Sequence, residues 1–299
     1  MLKKIPTKFK NLSANRKRSI ISWLFLLPSL LGVLLFFAAP FVVVIFYSLI
    51  DNPIRMNFVG LKNFVNVWNN AAFKQAGINT LKFSMVAVPL AVVLSLFLAA
   101  VMESRIPGKS YFRTFFLSPL MVPIASVVLI WQVLFNYNGL VNDFLAGFGI
   151  AKTDFLKSDK AMVVIIALFL WKNLGYNMIL FMAALASIPK DLLEVAALEH
   201  ANKYQIFWHI KVRYMSSTIL FVAIMSLINS FKVFREVYLM TGDHPYETLY
   251  MLQHFMNNTF ASLDYQKLSA AAIIMFIVVS ALVFVMLKVE NRFGRDVEG

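Results

Sequence analysis

The chain has 299 residues, 60% of them hydrophobic and 14% charged, whereas soluble domains run at about 45–50% and about 25%. A globule of this length cannot hide so much apolar surface, so a bilayer must serve as solvent for much of the chain. The formal charge of +13 would indicate nucleic acid only if it gathered on a free domain, and the lack of cysteine excludes disulfides, thiol catalysis and cysteine-based metal sites.

A spanning helix needs about 20 mostly apolar residues, because each adds about 1.5 Å across a hydrocarbon core of about 30 Å. Residues 1–19 form a basic tail in which Leu2, Ile5, Phe9 and Leu12 recur at helical spacing among lysines, the pattern of a helix lying on a membrane surface. Residues 20–50 are predicted as the first transmembrane helix. The run is too long for a signal-peptide core, so it reads as a retained anchor, with a kink expected near Pro28 or Pro40. Residues 51–78 follow as an outer loop, where Leu61, Phe64, Val65 and Trp68 give the stripe of an interfacial helix. Residues 79–288 hold five more spans, at 79–102, 114–135, 161–186, 216–240 and 268–288, with a loop over 187–215, and 289–299 form a C-terminal tail. The expected fold class is an all-α membrane protein of six transmembrane helices.

Six spans place both termini on one side, and the basic residues indicate which. With the N-terminus inside, seventeen Lys and Arg lie on the inner side, seven lie outside, and Lys82, Lys172, Lys232 and Arg235 fall within spans. Acidic residues divide seven and seven, with Glu236 in a span, so the inside carries +10, the outside is neutral and the spans carry +3. The positive-inside rule therefore predicts cytoplasmic N- and C-termini. The basicity is an orientation signal, and no free basic domain remains to bind nucleic acid.

Catalytic chemistry is missing. There is no HExxH, no glycine-rich phosphate loop and no GxSxG, and His200, His209, His244 and His254 lie two on each side of the membrane, where they cannot share a metal. The chain is not expected to be an enzyme or to hold a cofactor, and any ATP-driven work needs another chain.

Ionisable groups in hydrocarbon are costly and usually face a bundle interior, a cavity or the interface. Lys82 is near enough to its span end to snorkel. Lys172 lies mid-span in Trp171-Lys172-Asn173-Leu174-Gly175-Tyr176-Asn177, where Lys172 and Tyr176 share one helix face, as do Asn173 and Asn177. In the fifth span Asn229, Lys232 and Glu236 share a face, and Lys232 and Glu236 are spaced to neutralise one another. Two readings stand: these residues line a path for a polar solute, or they hydrogen-bond helices together. Trp131 and Trp171 suit sugar stacking and membrane-interface belts equally.

The 187–215 loop mixes apolar and charged residues at helical spacing, and Asp191 and Glu194 follow Pro189 as acidic groups in a first turn. Such a helix suits docking on a partner or lying on lipid. Here the sequence resembles the inner-membrane permease subunits of binding-protein-dependent ABC importers for sugars. Their loop pattern E-A-A-x-x-x-G-x9-I-x-L-P is met by Glu194, Ala196, Ala201 and Ile210, with Val195 and Val212 as mild changes, His200 for the glycine and Arg213 for the proline. Leu26-Leu27-Pro28, Val59-Gly60-Leu61-Lys62-Asn63, Asn79-Thr80-Leu81, Phe112-Arg113-Thr114, and Thr241-Gly242 leading to Pro245 and Thr248-Leu249 extend the likeness over 20–293. It is similar in particular to the maltose-transporter type of first permease subunit.

The resemblance implies a heterodimer with a second permease subunit, two cytoplasmic ATPase subunits, an extracytoplasmic solute-binding protein and a sugar or polyol-like solute, in a bacterial or archaeal plasma membrane. It implies a coupling helix over 191–209, with Asp191, Glu194, Ala196, Ala197, His200, Ala201, Phe207 and Ile210 at the ATPase. Lys172, Asn173, Tyr176, Asn177, Asn229, Lys232 and Glu236 would line the translocation path. The alternative is a self-contained secondary transporter or channel, against which stand the lack of an inverted repeat and the lone acidic group in the spans.

Overall fold

A computed structural model of the chain describes residues 14–103 and 107–293; the tail helix predicted over residues 2–12 and residues 294–299 lie outside the described residues. The described chain is almost wholly helical, with one isolated bridge between Ile50 and Phe58. Helix α1 (Ala14–Val33) passes through a π-helical turn at Leu34–Ala38 into α2 (Ala39–Ser48). The widened turn adjoins Pro40, which lacks an N–H and crowds the carbonyl four residues back, so the helix adjusts there while Pro28 stays within α1. After α3 (Lys62–Asn69) comes α4 (Ala71–Glu103), then α5 (Lys109–Met121), α6 (Ile124–Phe135), α7 (Leu140–Ala146) and α8 (Ala161–Ala186). The predicted loop holds α9 (Lys190–Leu198), α10 (Lys203–Gln205), a π-helical turn at Ile206–Lys211 and α11 (Val212–Tyr214). Helices α12 (Ser216–Phe231), α13 (Phe234–Thr241), α14 (Leu252–Ala261) and α15 (Tyr265–Phe293) complete the chain.

Six segments are long and apolar enough to cross a membrane: Ser22–Ser48, Ala71–Glu103, Ile124–Ala146, Ala161–Ala186, Ser216–Thr241 and Tyr265–Glu290. Three differ from expectation. The second begins at Ala71 rather than 79, because the helix runs on beyond its apolar part. The third, predicted as one helix over 114–135, is broken: Val122 is extended (φ −88°, ψ 128°), as a residue before proline prefers, and α6 starts after Pro123. The fifth is broken at Lys232–Val233, between α12 and α13.

Helices α4 and α8 form the spine, with α12 against both, α5 along α8, α6 beside α13, and α2 paired with α15. One core lies at Phe83, Val128, Ile165, Leu168 and Val237, and a second at Met102, Met178, Phe181, Leu185 and Val222. Because lipid tails are as apolar as leucine, close packing and hydrogen bonds hold such a bundle. Fully buried Ala76, Ala87, Ala91 and Ala99 give α4 the small side chains this requires. At Gly175 on α8 even a methyl is excluded, since a Cβ would overlap the Phe116 carbonyl of α5. The first span stays outside the core, with Trp23, Phe25, Phe36 and Phe37 exposed, as a lipid-facing helix would be.

Asparagines clasp the loops. Asn79 Nδ2 donates to the carbonyls of Glu247 (2.6 Å) and Tyr250 (3.0 Å), while Thr80 Oγ1 accepts from Leu252 N (2.9 Å), so α4 holds the 247–252 segment. Asn63 Nδ2 donates to the carbonyls of Ser48 and Ile50, binding α3 to the end of the first span. These bonds give a physical purpose to the Asn63 and Asn79-Thr80 motifs. Of the interfacial stripe, Leu61, Val65 and Trp68 are exposed, whereas Phe64 packs inward beside buried Val67. On α14, His254 is fully buried beneath the Phe234 ring (centroids 4.6 Å apart), and its Nδ1 accepts from Met251 N. Burial lowers its pKa to about 4, against an opposing pull from Asp243.

Candidate functional site

A cavity of about 540 Å³ lies where the two broken spans meet α8. Its walls come from Leu120 at the end of α5; Leu168, Phe169, Lys172, Asn173 and Tyr176 on α8; Asn229 on α12; Lys232 and Val233 at the break; and Arg235 and Glu236 on α13. Irregular backbone at membrane depth is tolerated only where it is buried in protein or lines a cavity. The Lys232–Val233 break meets that condition, since both residues line the cavity, whereas at the Val122–Pro123 break only Leu120, two residues earlier, reaches the wall.

Six of the seven residues predicted for a path line this cavity: Lys172, Asn173, Tyr176, Asn229, Lys232 and Glu236. Asn177 is not among them; it is buried, and its Nδ2 donates to Ser226 Oγ (3.1 Å) on α12. Asn173 serves both purposes, since it lines the cavity while its Oδ1 accepts from Asn229 Nδ2 (3.1 Å) and its own Nδ2 donates to the Phe169 carbonyl (2.8 Å). Lining and helix bridging therefore coexist on α8, on faces one residue apart.

The expected neutralisation of Lys232 by Glu236 is replaced by another pairing. Buried Glu236 is ion-paired with Lys172 across α8 and α13. The other ion pairs among the described residues are Lys152–Asp143 and Lys211–Glu103. Arg235 also lines the cavity and was missed in the sequence; its offset of three from Lys232 is the signal that could have found it. Trp131 stacks on Phe135 (5.1 Å) and tilts toward Trp171 (6.3 Å), so these aromatics pack together outside the lining set. No metal-binding cluster occurs among the described residues.

The 187–215 loop forms the second candidate surface. Helix α9 ends in a Schellman motif, in which His200 N donates to the Ala197 carbonyl (3.1 Å) and Ala201 N to the Ala196 carbonyl (3.0 Å). The turn needs a left-handed residue, and His200 supplies it at φ +58°, so the geometry persists with a histidine in place of the family glycine. Asp191, Glu194, Ala197 and His200 are exposed, Ala196 is buried, and Ala201, Phe207 and Ile210 are half-buried. Exposed Leu192, Val195 and Leu198 surround the two carboxylates. Asn202 and Gln205 form a reciprocal capping box that starts α10, and Lys211 Nζ donates to both carboxylate oxygens of Glu103 (2.6 and 2.7 Å) at the end of α4.

Six apolar helices with lysine, arginine and asparagine side chains around a cavity at a helix break suit a membrane transport subunit. Residues 91–296 match the family described as the binding-protein-dependent transport system inner membrane component. The chain is 31% identical to the probable ABC transporter permease protein YurN of Bacillus subtilis (strain 168), over 91% of this chain and 96% of that protein. It is 29% identical to the sn-glycerol-3-phosphate transport system permease protein UgpA of Yersinia enterocolitica (94% and 98% covered), and 28% to the multiple sugar-binding transport system permease protein MsmF of Streptococcus mutans (91% and 95%). Its fold matches a bacterial ABC transporter that imports the acidic polysaccharide alginate, with TM-score 0.80 and 21% identity over 93% of this chain and 97% of that one. The chain belongs to the family of binding-protein-dependent transport system inner membrane components. It is thus a permease subunit of an ABC importer, with ATP hydrolysis on a separate subunit, and the reading as a self-contained transporter is set aside.

Proposed function

We propose that this permease forms half of the translocation path for a sugar or related polar solute, beside a second permease subunit, and couples to its ATPase through the 191–209 region. The observation that carries this reading is the cavity at the Lys232–Val233 break, with Lys172, Asn173, Tyr176, Asn229, Lys232 and Glu236 in its wall, while Asn177 bridges to Ser226 on α12. A bundle of six spans is small to enclose a path alone, so the path runs between subunits. Relatives named for sugar and glycerol-phosphate transport, and a fold neighbour that takes alginate, support a hydroxyl-rich solute.

On α9, exposed Asp191 and Glu194 among exposed Leu192, Val195 and Leu198 offer charge and apolar contact to a partner. Seventeen basic residues against seven favour cytoplasmic termini, which puts α9 on the ATPase side. The complex then comprises two different permease subunits, two ATPase subunits and an extracytoplasmic binding protein.

The cysteine-free sequence allows a direct test of orientation, by single cysteines at Glu194 and at Trp68 labelled with an impermeant maleimide in intact cells. Labelling at position 68 and protection at 194 are expected; the reverse overturns the topology. Glu194→Lys is expected to lose the ATPase on co-purification, and unchanged association and uptake would remove the coupling role. Asn173→Ala and Tyr176→Ala are expected to reduce solute-stimulated ATP hydrolysis in assembled complexes. If they reduce assembly alone, these residues only join helices.

A further inference from the structure

The charges around the cavity do not balance. Lys172, Lys232 and Arg235 face a single carboxylate, and that carboxylate is taken by Lys172. Lys232 and Arg235 are exposed to the cavity without an ion pair among the described residues. Two uncompensated cations at membrane depth are costly, and such groups mark substrate pathways. Their placement separates them. Lys232 caps the C-terminus of α12, where the helix dipole favours a cation. Arg235 stands in the first turn of α13, where the dipole disfavours one, so intrahelical electrostatics give no reason for it. The same cavity wall holds neutral groups suited to hydroxyls, the Tyr176 phenol and Asn229 Oδ1, while the Asn229 amide donates to Asn173 Oδ1.

Resting on the reading of this cavity as the path, we propose that the transported solute is anionic, a polyol or sugar bearing a phosphate or carboxylate. Arg235 and Lys232 hold its charged group, and Tyr176 and Asn229 meet its hydroxyls. A guanidinium matches either oxyanion with two parallel N–H donors, and the ammonium adds a compact point charge. A neutral sugar would leave both cations uncompensated.

The test uses the assembled complex in nanodiscs and works before the solute is identified. Lys232 is labelled with pyridoxal 5′-phosphate or with neutral pyridoxal, trapped by borohydride and quantified by mass spectrometry, with exposed Lys62 in the outer loop as internal reference. The phosphate-to-neutral rate ratio at Lys232 is expected to exceed that at Lys62 at least tenfold. Arg235→Gln should bring it within twofold of Lys62, and Arg235→Lys should retain most of it. Protection by sn-glycerol 3-phosphate and by glycerate, with glycerol as neutral control, tells phosphate from carboxylate preference. A ratio equal to that at Lys62 overturns the proposal while leaving the path reading intact. Failure of either reagent to reach Lys232 removes both. Loss of the second permease subunit in Arg235→Gln but not in Arg235→Lys, with no anion preference in the wild type, assigns the cations to the subunit interface and overturns the proposal as well.

Discussion

Gly175 sets the separation of α5 and α8, and Gly175→Ala perturbs it by one methyl group. A Cβ built there overlaps the carbonyl carbon and oxygen of Phe116 and sits 3.2 Å from Leu117 N. These are main-chain atoms and cannot rotate aside, so α5 must shift on the order of an ångström, as tightly packed interiors resist. Overpacking of this kind costs about 1–3 kcal/mol. Alanine in a helix interior returns about 1 kcal/mol relative to glycine, leaving a net loss of about 0–2 kcal/mol. Gly175→Val lacks most of that return and adds volume, so its loss should reach about 2 kcal/mol or more. At Gly32 an added methyl would meet no atom within 4 Å, so Gly32→Ala serves as control, neutral or slightly stabilising. Thermal unfolding of the purified complex in nanodiscs, followed by tryptophan fluorescence, should rank Gly32→Ala with wild type, then Gly175→Ala, then Gly175→Val. Uptake should fall in the same order, because α5 and α8 both contribute residues to the cavity wall. A Gly175→Val complex that melts with wild type would refute the close-approach argument.

Lys172→Met strands the buried Glu236 carboxylate, whose Oε2 has no hydrogen-bond partner among the described residues. Breaking a buried pair costs about 3–5 kcal/mol, and the 38% exposure of the Lys172 side chain screens this to about 1–3 kcal/mol. Adding Glu236→Gln should recover most of the loss, and equal melting of single and double variants would sink the pairing argument. For His254 the folded pKa of about 4 lies below the ordinary 6.5, so the unfolded chain takes up the proton first. Its contribution is complete above about pH 6.5 and lost progressively toward pH 4, in all about 3 kcal/mol at about 1.4 kcal/mol per pH unit. Melting temperature against pH should flatten over that window in His254→Gln, and an unchanged profile counts against this assignment. His200→Gly relieves a left-handed residue at the end of α9, worth about 1 kcal/mol. Hydrogen exchange at the Ala201 amide should slow about fivefold if local opening governs it, and no change would mean that the turn carries no strain.

Legibility followed the physics of each signal. Bilayer thickness imposes a length that apolar runs report directly, so all six spans were visible in the sequence. The breaks were not. Hydropathy averages over a window and is blind to φ and ψ, so the run through Val122 and Pro123 reads as one helix although Val122 is extended, while Pro28 and Pro89 stay inside continuous helices. At Lys232–Val233 neither glycine nor proline marks the break, and only the lysine hints at it. Helical periodicity placed Lys172 with Tyr176 and Asn173 with Asn177 on separate faces, and the structure turns the first pair to the cavity. Periodicity cannot report partners on other helices, however, so Glu236 was matched to its near neighbour Lys232 rather than to Lys172, 64 residues away. His200 shows a further limit: the left-handed backbone survives the loss of glycine, because the hydrogen bonds of the helix end impose the turn.

Helix α4 runs unbroken through 33 residues, about 50 Å at 1.5 Å per residue. Near its first end Asn79 and Thr80 grip the 247–252 segment, and at its last residue Glu103 is tethered to Lys211 beyond α9. Its middle is pinned against α8. That contact is not a single point: it extends from Phe83, near Ile165, to Met102, near Leu185, and Pro89 lies within it without interrupting the helix. The 187–215 loop and the 247–252 segment are thus joined through one continuous helix that contributes no residue to the cavity wall.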